Sequence, residues 1–393
     1  VSVLYWCNSG AMLRRCVLTL GAAAGEPVVR FGRFGVFEEA GRGEGVWRVE
    51  MSAQKAHGSS RNNLMDPAFF ADLQSTFDWL SMSADAEVRA CVLHAELPNA
   101  DNGDKPTHFS CGLDLKAAGP ILLKDLPSTQ AAKLAVTTTL GMRAPALSEP
   151  GLPAKRNMKI RQLIHQWQAA ISSVAQCRVP VIASVHGLSL GGAVDLSSAC
   201  DFRFASKESV LSIKEAHVGI VADLGSLQRV GRIVGEGTLR EWTYTARNVD
   251  AAEAERRLFY NKVLDSPERC LEHALSVATE IATAASPMAV QGSKYVLNYA
   301  SEAEAQKGLE HVKLWNSAFL KSDDLVEAAV AFAQKRPPRF EGERIVDQRK
   351  PLKPAKAKKG SSSSSSAAAE SSGSSKKKEK AAAVDEDASG KKA

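Results

Sequence analysis

The chain has 393 residues, 44% hydrophobic and 24% charged, the composition of a soluble globular protein with room for one large or two modest domains plus tails. Its net charge of +6 sits in the tail: residues 349–393 hold 12 Lys/Arg against 5 Asp/Glu, and the other 348 hold 38 against 39, so a globally basic nucleic-acid-binding surface is not implied. No stretch near the start is long enough to span a bilayer, and seven scattered cysteines without a CxxC pair (Cys7, Cys16, Cys91, Cys111, Cys177, Cys200, Cys270) argue against a disulfide framework or structural zinc, reading instead as small hydrophobes in a reducing compartment.

In chain order, residues 1–45 form an N-terminal extension. From Met12 it carries Arg14, Arg15, Arg30 and Arg33 against one acid, Glu26, a composition that fits a mitochondrial transit peptide. Order is expected to begin near Val46. Ala86–Ala95 reads as a helix end running into a buried strand. Residues 119–159, with five prolines, read as a long variable loop. Leu163, Ile164, Trp167, Ile171 and Val174 then fall at helical spacing and predict an amphipathic helix from Lys159 to Gln176. Pro180 opens an apolar, β-rich strand, PVIASVH. Gly191-Gly192 leads into a short helix, AVDLSSAC, and DFRFAS (201–206) and VLSI (210–213) are further strands. Residues 249–342 are mostly helical, which suggests an α/β core over 46–248 with a helical appendix. Residues 343–393, rich in Ser, Lys and Ala, cannot bury enough apolar surface to fold and are expected to be disordered.

Three features can carry chemistry. His108-Phe-Ser-Cys-Gly-Leu113-Asp-Leu115 is a turn after a strand. Gly191-Gly192 lets the backbone turn tightly and leaves unpaired N–H groups at a helix N-terminus, a setting suited to an oxyanion. Asp195, Glu215 and Asp223 lie among apolar neighbours, where an acid is costly unless paired or functional. Taken singly, each has a plain structural explanation: a helix-dipole partner for Asp195, a salt bridge to Lys214 for Glu215, and a cap for Asp223.

Together they resemble something specific. The stretch from Pro180 to Arg229 is similar to the central signature of the enoyl-CoA hydratase/isomerase (crotonase) family. FSCGLDL (109–115), LREWTYTAR (239–247), SPMAVQGSKYVLNYA (286–300) and WNSAFLKSDDL (315–325) resemble other parts of that family, over roughly residues 46–340. The resemblance implies an α/β fold, a crotonase-like spiral of ββα units, with C-terminal helices over 249–342 that assemble a homotrimer or dimer of trimers. It implies an acyl-CoA substrate, with coenzyme A as part of that substrate, no separate cofactor and no metal.

By position, the backbone N–H groups of Leu113 and Gly192 would form the oxyanion hole. Aspartate, glutamate and aspartate at 195, 215 and 223 resemble the pattern of the delta-3,5-delta-2,4-dienoyl-CoA isomerases within the family. That pattern implies that Glu215 takes a proton from C2, Asp223 delivers one to C6 and Asp195 orients the pair. Asp223 would then have to be protonated at working pH, a state its apolar neighbours favour. AFAQKR (331–336) is similar to the segment that reaches the coenzyme A phosphates and points to Lys335, while AHGSSRNNLMD (56–66) corresponds roughly to an adenine-pocket turn. None of His108, His186 and His217 acquires a catalytic role. The runner-up activity is a 2-trans-enoyl-CoA hydratase. An RNA-binding homologue using the lysine-rich tail is a further alternative, although that tail lacks interleaved aromatics and no nucleic acid is expected.

Overall fold

The computed structural model describes residues 26–52, 62–82, 87–98, 107–115, 117 and 153–340, together with the backbone of two strands at 2–7 and 14–19. Residues 1–342 form one compact unit and 343–393 a second; the expected disordered tail lies outside the described residues, as does the loop over 119–152.

Two sheets organise the first unit. The larger has nine strands. Ser2–Cys7 (β1), Arg14–Thr19 (β2), Val29–Phe31 (β3), Phe34–Glu38 (β4) and Val46–Met51 (β5) pair antiparallel in sequence order. Ala90–Ala95 (β6) and Val181–Val185 (β7) follow in parallel. From β7 the chain turns at Gly187, runs Leu188–Leu190 (β8) in a second, small sheet, and enters a helix. It returns as Phe202–Ser206 (β9), parallel to β7, then Val210–Ser212 (β10), parallel to β8. Val249–Asp250 (β11) closes the small sheet and Lys262–Leu264 (β12) the large one. This repeated strand–strand–helix path winds the chain into a spiral.

The helices are Pro67–Met82 (α1), Pro153–Ala175 (α2), Gly192–Ala199 (α3), Ser226–Val234 (α4), Glu236–Thr245 (α5), Ala251–Arg256 (α6), Pro267–Ala284 (α7), Pro287–Phe319 (α8) and Asp323–Ala333 (α9). Strands β6 and β7 are buried at every position, as expected of parallel strands covered on both faces. Alternation sorts their side chains: Cys91, Leu93 and Ala95 join the main core with α1 and α2, whereas Ala90 and Val92 pack with Cys270, Ala274 and Ala278 of α7. Serine side chains cap α7, α8 and α9, Ser266, Ser286 and Ser322 each accepting a backbone N–H from the third residue on.

Four expectations need correction. Order begins before Val46, because Val29, Phe31, Phe34 and Val36 fill the core beside α1. The helix read from Lys159 starts at Pro153, where proline's fixed φ and missing N–H suit a first helical residue. Residues 87–89, read as part of a helix end, are not helical and lead straight into β6. Strands β11 and β12 fall beyond residue 248, so the spiral continues into the block read as mostly helical; with two and three residues, they are too short for periodicity to register. Cys91, Cys177, Cys200 and Cys270 are free and buried, as read, and Cys111 is half-buried.

Helix α8 is anchored to the spiral by a buried cation. Lys294 Nζ donates to Asp201 Oδ2 at 2.7 Å and to the carbonyl of Val179 at 2.9 Å, and the same carboxylate accepts the Val181 N–H. Asp201→Ala would strand that ammonium with one carbonyl, and we expect a loss of about 3 kcal/mol in denaturant titration, with Lys294→Met costing less; equal stability of Asp201→Ala and the parent would contradict this anchoring role.

Candidate active site

The site grows from two close-set turns. Gly112 has φ +80° and Gly191 φ +53°, both in the left-handed region that favours glycine. A Cβ on Gly112 would stand 2.5 Å from the Leu190 carbonyl oxygen, so the two segments meet only because that side chain is absent. Ser110 donates its backbone N–H to Leu188 O and accepts that of Leu190 along β8, and Met65 donates to Gly112 O while accepting from Asp114 N. In that ladder Leu113, between the two bonded residues, directs its N–H to the opposite side. Gly192, first residue of α3, has an N–H with no intrahelical partner, at the positive end of the helix dipole. The expected pair, Leu113 and Gly192, thus lines one space.

Two cavities share that space. An outer one of about 420 Å³ is lined by Gly112, Leu190, Lys214, His217, Phe332 and Arg336 among others. An inner one of about 60 Å³ is lined by Met65, Phe70, Ile164, Trp167, Asp223 and Leu224 among others. Leu113, Gly192, Glu215 and Ile220 border both, so the N–H groups and the Glu215 carboxylate stand at the junction. Asp223 faces the inner chamber only.

All three acids are converged upon by apolar surface. Asp195 on α3 is buried; its Oδ1 accepts the Ser226 N–H at 2.5 Å and its Oδ2 is buried without a partner. Glu215 opens a 3-10 turn, Glu215–Val218, and its Oε2 is likewise buried and unpartnered. Burial raises the Glu215 carboxyl well above its ordinary value, and the charges of Asp195 and Asp223 add to the rise. Asp195 is also raised by burial, against the Ser226 hydrogen bonds and the Arg229 guanidinium, which oppose the shift. Burial lifts Asp223 to about 7, while an Asn316 hydrogen bond holds it down and Asp195 pushes it up. Like charges in a dry site cannot all ionise together, so near neutrality the carboxyls share protons.

The salt bridge considered for Glu215 does not form: Lys214 Nζ donates to Ala246 O and Asn248 Oδ1 instead. Lys335 ends α9 at φ +53° and is not among the residues lining the outer cavity, whereas its neighbour Arg336 is, tied to Glu327 at 2.6 and 3.0 Å. His186 is held neutral by burial, its ordinary value lowered to about 4, and shares a 2.9 Å hydrogen bond with Thr107; His108 is lowered likewise by burial and accepts the Leu188 N–H. Of the adenine-pocket segment, residues 56–61 lie outside the described residues.

Sequence reading missed the supports. Asn316 on α8 donates to Asp223 Oδ2 at 2.7 Å and to Val221 O at 2.8 Å. Gln168 on α2 donates to Asp223 O at 2.7 Å and Leu309 O at 3.0 Å. Buried Arg229 is gripped by Glu302 at 2.9 and 3.0 Å. The available signal was Gln168 and Asn316 as amides on otherwise inward-facing helical stripes.

Two glycine-built turns and buried, proton-sharing carboxyls meet at one pair of cavities, the features of a candidate enzyme site. Comparison with known proteins places it. The profile described as enoyl-CoA hydratase/isomerase matches residues 153–343. The chain is 34% identical over 278 residues to a mitochondrial delta(3,5)-delta(2,4)-dienoyl-CoA isomerase of Dictyostelium discoideum, spanning 71% of this chain and 83% of that protein. It is 44% identical over 182 residues to a peroxisomal protein of the same name from Arabidopsis thaliana, spanning 46% and 65%. A solved enoyl-CoA hydratase from Mycobacterium avium subsp. paratuberculosis shares the fold with a TM-score of 0.58 at 19% identity, over 79% of this chain and 99% of that one. The chain belongs to the enoyl-CoA hydratase/isomerase family.

The raised carboxyl has a cost in stability. Asp223 keeps its proton up to about pH 7 when folded but loses it near pH 4 when unfolded, so stability present below pH 4 falls as pH rises to about 7 and is then flat. Asp223→Asn should therefore match the parent near pH 4 and exceed it by ~2–4 kcal/mol at pH 9 in urea titrations. A constant difference across that range would contradict the raised value.

Proposed function

We propose that the chain isomerises 3,5-dienoyl-CoA to 2,4-dienoyl-CoA in fatty-acid β-oxidation by a 1,5 proton shift. The observation that carries this reading is the split placement of the acids. Glu215 stands beside the N–H groups of Leu113 and Gly192, where the thioester carbonyl and C2 would lie. Asp223 stands deeper, where C6 would lie. The names of the two isomerase relatives support the same assignment.

In this scheme the reacting form has Glu215 ionised and Asp223 protonated, the less favoured way of sharing one proton because Glu215 is the more strongly raised of the two, and Glu215 removes a proton from C2. The electron pair spreads into the thioester oxygen, held by the two N–H groups, and through the conjugated chain. Neutral Asp223 gives its proton to C6, the carbonyl reforms, and the double bonds settle at C2–C3 and C4–C5. Glu215 ends protonated and Asp223 ionised, and one proton passed between them resets the site. Each N–H group of such a hole commonly contributes about 10²–10³ in rate. Asp195 is not among the residues lining either cavity; it acts through Glu215, whose proton affinity its charge raises. No separate cofactor or metal enters the scheme.

The nucleotide end of coenzyme A would lie along the outer cavity toward Lys335 and Arg336. Self-association as a trimer or dimer of trimers is supported by the apolar side chains α8 leaves exposed, among them Met288, Tyr295, Leu297 and Tyr299. Among the described residues, no helix is long and apolar enough to cross a membrane. An organellar location, mitochondrial in the first instance, is supported by the relatives' names; Arg30 and Arg33 of the expected transit peptide belong instead to the folded unit, Arg30 in β3 and Arg33 paired with Asp66.

The test is product analysis with a 3,5-dienoyl-CoA substrate. We expect a conjugated 2,4-dienoyl product, and a loss of at least about 10² in kcat for Asp223→Asn with acyl-CoA affinity nearly kept. Formation of a 3-hydroxyacyl-CoA from a 2-enoyl-CoA with no dienoyl turnover would establish the hydratase instead. Removing the Asn316 donor should raise Asp223 further, so Asn316→Ala should move the basic limb of the kcat/KM profile to higher pH; an unmoved limb would deny Asp223 the role of acid.

A further inference from the structure

The inner chamber has an aromatic wall. Phe70 of α1 and Trp167 of α2 stack at 4.7 Å between ring centroids with planes 15° apart. Both are buried, at 2% and 6% exposure, and Phe69 packs edge-on against Phe70 at 5.7 Å. Phe70 and Trp167 border the inner chamber and not the outer one, as Asp223 does, and Gln168, the residue after Trp167, donates to the Asp223 carbonyl at 2.7 Å. Ile160, Leu163, Ile164, Leu224 and Leu320 complete the walls. The chamber's volume, about 60 Å³, holds on the order of four or five groups the size of a water molecule or a methylene.

From this geometry we infer that the Phe70–Trp167 stack is the chain-length stop of the acyl site, making the enzyme selective for short and medium acyl chains. This rests on the isomerase reading for where the chain lies. Carbons 3 to 6 between Glu215 and Asp223 already take up most of the chamber, and only a short alkyl tail fits beyond C6 before it meets the rings. Two elements that are neighbours in the core supply the stop, so it does not yield as a loop would. A longer chain must displace the stack or bend back toward the mouth.

The test compares eight-carbon and sixteen-carbon 3,5-dienoyl-CoA substrates on the full-length protein. It runs beside calorimetric binding of saturated acyl-CoAs of the same two lengths, which needs no turnover. The parent should favour the eight-carbon substrate by about tenfold or more in kcat/KM. Trp167→Ala should reduce that ratio to about threefold or less, chiefly by improving the longer substrate. Phe70→Leu, a smaller change to the same wall, should shift the ratio in the same direction and serves where Trp167→Ala does not fold. Equal use of both lengths by the parent would overturn the inference, as would an unchanged ratio in a folded variant of the wall. Length-selective binding without any dienoyl turnover would remove the isomerase reading and leave the stop intact, whereas turnover indifferent to length would do the reverse.

Discussion

The arrangement depends on one electrostatic constraint: three carboxyl groups are kept in a space too dry for all of them to be charged. In water, Asp195, Glu215 and Asp223 would each ionise near pH 4. Here burial dominates the shift of every one of them. In the proposed reaction that frustration is what makes the site reactive, since a carboxyl that has half-lost its preference between acid and base can act as either at neutral pH.

The surrounding structure limits the frustration without abolishing it. Asp195 is kept nearest to ordinary behaviour, by the Ser226 N–H and the field of Arg229. Arg229 is itself fixed by Glu302 on the long helix α8, which also supplies Asn316 to Asp223 and, through Lys294, grips the edge of β7. A helix of 33 residues, about 50 Å long, therefore braces the acid cluster and docks to the sheet with the same side. Its exposed apolar residues include Met288, Tyr295, Leu297 and Tyr299 near the N-terminal end and Leu314 and Phe319 near the C-terminal end, so bracing and exposed residues share the same lengths of helix. Such buried polar fixtures stabilise little in themselves; what they supply here is a fixed orientation for groups that would otherwise relax away from one another.

Much of this was legible in the sequence because it depends on local chemistry. Gly112 and Gly191 announce turns that favour glycine, and the run from Pro180 to Arg229 contains most of the residues that meet at the junction. The resemblance to the crotonase signature, rather than local chemistry, implied an oxyanion hole and roles for the three acids. What sequence could not show is what long-range packing decides. Gln168 and Asn316 stand 55 and 93 residues from Asp223 and look like ordinary helix amides until the fold brings them together. Strands β3 and β4 were lost because arginines and glycines around them suggested an extension rather than a sheet edge, yet Val29, Phe34 and Val36 are fully buried. Strands β11 and β12 were lost because pairing, not periodicity, makes two or three residues a strand. Lys335 and Arg336 differ by one position at a helix end, where the left-handed turn at 335 determines which of the two faces the cavity.

The central claim is that the free enzyme holds a proton on its buried acids at neutral pH. Carbon-13 NMR titration of the side-chain carboxyls, with Asp223→Asn to assign the Asp223 signal, reads that directly. The account predicts that the Asp223 carboxyl changes ionisation near pH 7. A signal that titrates near pH 4, as an exposed aspartate does, would contradict it.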